Sequence, residues 1–264
     1  MSERDTYSPG VPCWVDTLQP DLETALGFYT QVFGWDFGEP GPLATNPEQP
    51  YHVARLRGRD VAGVGALPPG GQAIWSTYVA VDSADAAAQR AADAGGRVLA
   101  SPFDAAPAGR MAVLADPSDA AFCVWQAGAR QGAQLVNEPG AWAMSVLHTD
   151  DPEAAKSFYA ALFGWETEPF GDQVTLWRLP GYVGGEPEQP VPRDVVAGMA
   201  PLPPDAPPHW SVDFWIADAD AAAAQAEQLG GRVIAAPQDA GPFRSTALAD
   251  PHGAVFSASQ LLYR

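Results

Sequence analysis

A repeated eight-residue segment constrains this chain more than any other feature. The sequence FYTQVFGW at residues 28–35 returns as FYAALFGW at residues 158–165. In both copies aromatic residues at helical spacing precede a Gly-Trp pair. A glycine just past a helix end adopts the left-handed conformation easily, and we expect the tryptophan to fold back against the last helical turn. Two copies of so specific a pattern indicate one fold written twice.

The remainder of the chain repeats in the same order. Trp75 recurs as Trp210, and the turn that starts at Asp116 recurs at Asp250. Hydrophobic periodicity and turn residues predict a strand, a helix and three strands, twice in each half. The fold class is therefore α+β. We predict an N-terminal domain over residues 10–127, a linker over 128–139 and a C-terminal domain over 140–264. Residues 1–9 are expected to be frayed, and residues 36–50 to form a loop.

Composition excludes several classes of function. The formal net charge of −18 disfavours binding to nucleic acid or to anionic membranes and favours neutral or cationic ligands. No apolar run reaches the roughly 20 residues of a membrane helix. The N-terminus lacks a signal-peptide pattern, so we expect a cytoplasmic location. Two cysteines cannot build a disulfide framework or a multi-cysteine metal site.

Together these pieces resemble the vicinal oxygen chelate superfamily, which includes glyoxalase I, bleomycin-resistance proteins and extradiol dioxygenases. The matching features are the FYxxxFGW helices, the Trp-Ser strands, the Gly-Gly-Arg-Val steps and the Asp-Pro turns. In detail the chain is similar to two-domain actinobacterial proteins often labelled glyoxalase-like or hydroxylase. The resemblance implies a tandem duplication of a domain made of two βαβββ modules. Each domain would be a curled mixed sheet around a cleft, with helices outside.

The resemblance also implies where a metal would bind. The family typically places His, Gln or Glu ligands on three strands of a domain. The corresponding positions here hold the following residues: Trp14, Ser76 and Cys123 in the first half, and Met144, Ser211 and Ser257 in the second. Zinc and iron prefer imidazole and carboxylate ligands. We therefore predict no metal site and no cofactor in either half.

Strand alternation identifies the residues that would line the two clefts instead, because every second side chain shares a face. The predicted ligand-binding residues are Trp14, Ser76, Tyr78, Cys123, Trp125, Met144, Ser211, Trp215 and Ser257. Aromatic rings with a few polar groups are typical of a small-molecule pocket. The alternative is that these rings simply fill a core.

Three further residues are candidate catalytic groups. Asp16 and Asp213 interrupt apolar strands, where a carboxylate is costly to bury unless it is paired or protonated. Either could hold a ligand cation or act as a general base. The alternatives are a salt bridge to a nearby arginine such as Arg110 or Arg244, or an error in the predicted register that leaves the carboxylate exposed. His148 faces the second cleft from a strand end and could act in acid–base chemistry.

We expect a protein that binds a small aromatic or amphipathic molecule without a metal, and sequestration of that molecule is one role that the resemblance implies. One alternative is an isomerase, lyase or hydroxylase-like enzyme that uses the Asp and His groups or an unrecognised metal. Another is a regulatory protein-interaction module whose acidic surface meets a basic partner. The chain would be a monomer with a pseudo-dimeric pair of domains, or a homodimer.

Overall fold

Two mixed β-sheets with two helices each form the protein, as described by a computed structural model over residues 3–171, 174–184 and 192–262. The elements of the N-terminal half are β1 Pro12–Gln19, α1 Leu22–Phe33, β2 Asp36–Phe37, β3 Gly41–Leu43, β4 Asn46–Leu56, β5 Arg59–Ala66, β6 Trp75–Ala80, α2 Ala84–Asp93, β7 Arg97–Ala105, β8 Gly109–Ala115 and β9 Ala121–Ala127. Those of the C-terminal half are β10 Trp142–Thr149, α3 Pro152–Phe163, β11 Glu166–Phe170, β12 Val174–Arg178, β13 Val195–Pro201, β14 His209–Trp215, α4 Ala219–Gln228, β15 Arg232–Ala240, β16 Phe243–Ala249 and β17 Val255–Leu261.

The two sheets share one topology. Their orders are β2-β4-β5-β1-β6-β9-β8-β7 and β11-β12-β13-β10-β14-β17-β16-β15, and β3 pairs with β4 beside the first sheet. In each half the first strand runs parallel to the last strand of its own module and antiparallel to the first strand of the next. The predicted α+β duplication is confirmed. The expected loop over residues 36–50 is wrong in part, because β2, β3 and the start of β4 lie there.

The Gly-Trp pairs end the helices and join the halves. Gly34 and Gly164 both adopt a φ of +73° at the helix ends. Trp35 and Trp165 fold back as expected, with ring centroids 4.7 and 5.1 Å from the last phenylalanine of each helix. Each indole also donates a 2.7 Å hydrogen bond across the molecule, Trp35 to the carbonyl of Gly140 and Trp165 to that of Gly10. The tryptophan that follows each helix end therefore also forms a hydrogen bond to the backbone of the other half.

The first helix of each half packs against strands of the other half. Phe33 of α1 lies 4.7 Å from Phe214 of β14 and 5.5 Å from Phe256 of β17, measured between ring centroids. Reciprocally, Phe158 and Phe163 of α3 both contact Phe122 of β9 at 6.1 Å. The core is thus built from aromatic rings contributed by both halves.

Buried carboxylates reinforce this exchange. Asp250 accepts hydrogen bonds from the Tyr29 hydroxyl at 2.8 Å and the Gln19 amide at 2.7 Å, both from the opposite half. Asp116 accepts a 3.2 Å hydrogen bond from Tyr159 in the same reciprocal way. These contacts make the two halves a pseudo-symmetric pair.

The N-terminus and the connector pack on the body of the protein. The Tyr7 hydroxyl donates to the carbonyl of Ala133 at 2.7 Å, and the Arg4 amide donates to that of Gln134 at 2.9 Å. Leu135 and Val136 are buried. The expectation of a frayed start is wrong for residues 3–9, because these backbone and hydroxyl bonds hold them. No helix in the described ranges is long and apolar enough to cross a membrane.

Candidate functional site

In the N-terminal half the predicted cleft face is packed with side chains. Trp14, Asp16, Tyr78, Cys123 and Trp125 are each between 4 and 7% exposed. Neighbouring side chains, not open space, surround them. This packing agrees with the alternative in which the rings fill a core. The binding roles given to these residues and to the half-buried Ser76 stay predictions.

A tyrosine that sequence reasoning missed closes this face. Tyr51 of β4 lies directly over Gly63 of β5, where a methyl group on the glycine would come within 1.8 Å of the hydroxyl. Tyr51 donates to Asp16 at 2.9 Å and accepts a 2.9 Å hydrogen bond from the Trp14 indole. The glycine among apolar strand residues was the available signal, since such a glycine often marks close approach of another group.

Asp16 is satisfied inside this network. Tyr78 donates a second hydrogen bond to the same carboxylate oxygen at 2.8 Å. Burial raises the pKa of Asp16 to about 6, and the two tyrosine hydrogen bonds oppose that rise. The salt-bridge alternative is wrong for both candidate carboxylates: Arg110 pairs with Asp85 and Asp104, and Arg244 pairs with Asp220 and Asp239.

In the C-terminal half the equivalent face lines a cavity of about 390 Å³. The six residues predicted to line the second cleft all border it: Met144, His148, Ser211, Asp213, Trp215 and Ser257. Further lining comes from elements that strand alternation could not bring together. Arg4 and Tyr7 come from the N-terminus, Tyr182 from the segment after β12 and Phe243 from β16. Most of the other lining residues are apolar.

Smaller residues at five equivalent positions open the C-terminal face, although Trp215 there is larger than its N-terminal counterpart Ala80. Sheet register matches each N-terminal residue with its C-terminal counterpart. The matched pairs are Tyr51 with Val174, Tyr78 with Asp213, Met111 with Ser245, Cys123 with Ser257, and Trp125 with Ser259. The C-terminal member is smaller in all five. Ser245 and Ser259 were missed by the sequence analysis, although Ser259 continues the alternation from Ser257.

Asp213 belongs to a short polar chain in this cavity. The Ser259 hydroxyl donates to Asp213 at 2.7 Å, and the Ser245 hydroxyl lies 2.8 Å from that of Ser259. The carboxylate is half-buried because it borders the cavity. Desolvation by the surrounding protein raises the pKa of Asp213 to about 7, and the Ser259 hydrogen bond opposes the rise.

His148 forms a second polar group on the same wall. One ring nitrogen lies 3.0 Å from the Ser211 hydroxyl and the other 3.1 Å from the carbonyl of Pro201. The ring stacks on His209 with centroids 4.8 Å apart. Burial, with a smaller contribution from His209, holds the pKa of His148 below its usual value. These surroundings therefore favour the neutral imidazole.

The polar side chains that line the cavity are poorly suited to binding a transition-metal ion. No group of three His, Cys, Asp or Glu side chains that could bind a metal ion occurs among residues 3–171, 174–184 and 192–262. Met144, Ser211 and Ser257, the positions at which the resemblance predicts the family's ligands, border the cavity. A thioether and two neutral hydroxyls are poor ligands for zinc, iron or manganese.

A family model for the glyoxalase-like domain matches residues 14–125 and again 144–259. The chain belongs to this family, within the vicinal oxygen chelate superfamily. Each matched segment corresponds to one of the two sheets. The family assignment covers both the packed face and the open cavity.

Relatives and solved structures extend this result. The chain is 38% identical to CFP32 of Mycobacterium tuberculosis, whose name marks it as a candidate glyoxylase, with 97% of both chains covered. It is 35% identical to the anthracycline biosynthesis protein DnrV of Streptomyces peucetius, over 97% of this chain and 94% of that one. The fold resembles a Mn(II)-bound glyoxalase from Novosphingobium aromaticivorans, with a TM-score of 0.64 at 18% identity and coverage of 97% and 83%. It also resembles 2,2',3-trihydroxybiphenyl 1,2-dioxygenase from Sphingomonas wittichii, with a TM-score of 0.62 at 14% identity and coverage of 96% and 91%.

One pair of alanine substitutions distinguishes the filled face from the open one. We expect Gly63→Ala to lower the free energy of unfolding by about 2–4 kcal/mol, because Tyr51 must leave its bonds to Asp16 and Trp14. The equivalent Gly198→Ala meets its nearest atom, a Val146 methyl, at 3.3 Å. Its effect should stay within about 1 kcal/mol. Urea unfolding of both variants measures the difference, and equal destabilisation would contradict this account.

Proposed function

We propose that the C-terminal half binds one small, largely apolar organic molecule in its cavity without a metal ion, while the N-terminal half serves as structural support. The observation that carries this is the asymmetry of the duplicated face. Five residues that fill the first half are replaced by smaller ones in the second, and the space they leave borders a carboxylate and a histidine. A concave apolar surface with a few polar groups is the usual form of a ligand site.

The relatives support a small-molecule role. DnrV is named as an anthracycline biosynthesis protein. Because anthracyclines contain a planar aromatic ring system, planar aromatic compounds are the ligand class to test first. Trp142 and Trp215 border the cavity and Trp215 lies 5.9 Å from Phe243, measured between ring centroids. Aromatic side chains of this kind pack well against planar ligands. The role that we propose for this binding is sequestration of such a compound.

Titration calorimetry tests the proposal directly. The purified protein is titrated with 1-naphthalenemethanol, a hydroxylated anthraquinone and an anthracycline, and tryptophan fluorescence is followed in parallel. We expect saturable binding of one molecule per chain by at least one compound, unchanged after treatment with EDTA. Elemental analysis should show substoichiometric metal. Failure of every compound to saturate, or loss of binding after chelation, would contradict the proposal.

An enzyme is the second candidate, because Asp213 and His148 border the same cavity. A carboxylate whose pKa lies near 7 is suited to proton transfer at neutral pH. Mass spectrometry of a bound compound after long incubation separates the two functions. Recovery of the compound unchanged supports a binding protein, whereas a conversion that Asp213→Asn abolishes supports acid–base catalysis.

A further inference from the structure

Asp213 differs from the other candidate carboxylate in how it is satisfied. Asp16 accepts hydrogen bonds from two tyrosines and is 5% exposed. Within the described ranges, the Ser259 hydroxyl is the single hydrogen-bond donor to Asp213. Its second carboxylate oxygen therefore has no donor from that part of the protein, although the group borders an apolar cavity. A carboxylate in such surroundings is costly unless a partner supplies positive charge or a further hydrogen bond.

Four other charged or titratable residues line this cavity, and none of them forms an ion pair with Asp213 in the described part of the chain. Those that line it besides Asp213 are Arg4 and Tyr7 from the N-terminus, His148 from β10 and Tyr182 from the segment after β12. Arg4 donates to the carbonyl oxygens of Glu3 and Gly184 and also lines a separate depression near Arg130. The groups that shift the pKa of Asp213 are its burial and the Ser259 hydroxyl, and Arg4 is not among them. Among residues 3–171, 174–184 and 192–262, Asp213 takes part in no ion pair.

The whole protein favours a cationic ligand as well. Its formal net charge is −18, so the field around it concentrates cations and speeds their arrival. Hydrogen bonds connect Ser245 on β16 to Ser259 on β17, and Ser259 to Asp213 on β14. It orients one carboxylate oxygen and leaves the other for the ligand.

Building on the proposed function, we propose that Asp213 recognises a protonated amine. The ligand class is then an organic molecule with an apolar, preferably planar body and one cationic nitrogen. The body occupies the apolar part of the cavity, and the ammonium group donates a charge-assisted hydrogen bond to the free carboxylate oxygen. Such bonds are about twice as strong as neutral ones.

Three ligands of nearly equal size test this preference by calorimetry at pH 8. They share a naphthalene ring and differ in one substituent: 1-naphthylmethylamine is cationic, 1-naphthalenemethanol is neutral and 1-naphthoic acid is anionic. We expect the amine to bind about 10- to 100-fold more tightly than the alcohol, and the acid to bind most weakly. In Asp213→Asn the amine should lose this advantage and bind like the alcohol. Glu23→Gln removes one exposed negative charge outside the cavity and should leave the preference intact.

The pH dependence supplies an independent readout. The amine needs the ionised carboxylate, whose pKa is about 7, so its affinity should fall as the pH is lowered from 8 to 6. The alcohol's affinity should stay constant. His148 has a lowered pKa, and the fall should persist in His148→Gln.

The outcomes separate this proposal from the one on which it rests. Binding of the alcohol with no preference for the amine overturns the role of Asp213 and leaves the cavity as a binding site. A preference for the amine that survives Asp213→Asn overturns the role of Asp213 alone. Failure of all three naphthalene compounds to bind overturns the role of Asp213, and the proposed function is overturned with it only if the anthraquinone and the anthracycline also fail to bind.

Discussion

Val174→Tyr should abolish ligand binding while the protein stays folded. Val174 of β12 borders the cavity and occupies the position of Tyr51 in the N-terminal half. A tyrosine there would extend over Gly198 as Tyr51 extends over Gly63, and its ring would take space that the ligand needs. We expect the dissociation constant to rise by at least about 100-fold. Calorimetry with whichever naphthalene probe binds the native protein measures the change.

A conservative change at the same position provides the control. Val174→Ile adds one methylene group to the same strand position and should bind the probe within about threefold of the native protein. The thermal midpoint of both variants should remain close to that of the native protein, because the added atoms enter open space. Undiminished binding by a folded Val174→Tyr variant would place the ligand elsewhere.

Asp250→Ala should cause a large loss of stability, greater than that of the equivalent change at Asp116. The buried carboxylate accepts hydrogen bonds from the amides of His252 and Ala254 in its own turn, and from Tyr29 and Gln19 of the opposite half. Removing it leaves buried donors without a partner in both halves. We expect the free energy of unfolding to fall by about 3–5 kcal/mol, measured by urea unfolding.

Two control substitutions are compared with Asp250→Ala: the equivalent Asp116→Ala, and Asp239→Ala at an exposed position. Asp116 accepts from Ser118, Ala120 and Tyr159, and Thr149 at the position of Gln19 donates to the Ser118 hydroxyl instead. Its loss should therefore cost less than that of Asp250. Asp239→Ala, on an exposed edge strand, should change stability by no more than about 1 kcal/mol. An effect of Asp250→Ala no larger than that of Asp239→Ala would show that the cross-half bonds add little.

The duplicated helix stops and the succession of strands and helices along the chain could be predicted from the sequence because they depend on local chemistry. A glycine just past an apolar helical stripe favours a helix end, and alternation along β14 places Ser211, Asp213 and Trp215 on one face. The same alternation predicted the cavity-facing set of the C-terminal half.

Whether a face is open or filled depends on non-local contacts that no single strand reveals. The closing residue of the N-terminal half, Tyr51, reaches its site across Gly63 on the neighbouring strand. Its C-terminal counterpart is found only through the register of β12 with β13. The packing of each first helix against the opposite half is also invisible in the pattern, since an apolar helical stripe fits either sheet equally well.

The exchange of helices between the halves has a consequence for how this protein can be divided. Cutting the chain in the connector would expose the aromatic rings of α1 on one fragment and those of β14 and β17 on the other. Neither fragment would bury its own hydrophobic surface, so each would aggregate or associate with a second copy of itself. Two C-terminal fragments in that arrangement would mimic the ancestor implied by the duplication: a symmetric dimer with a ligand cavity in each subunit.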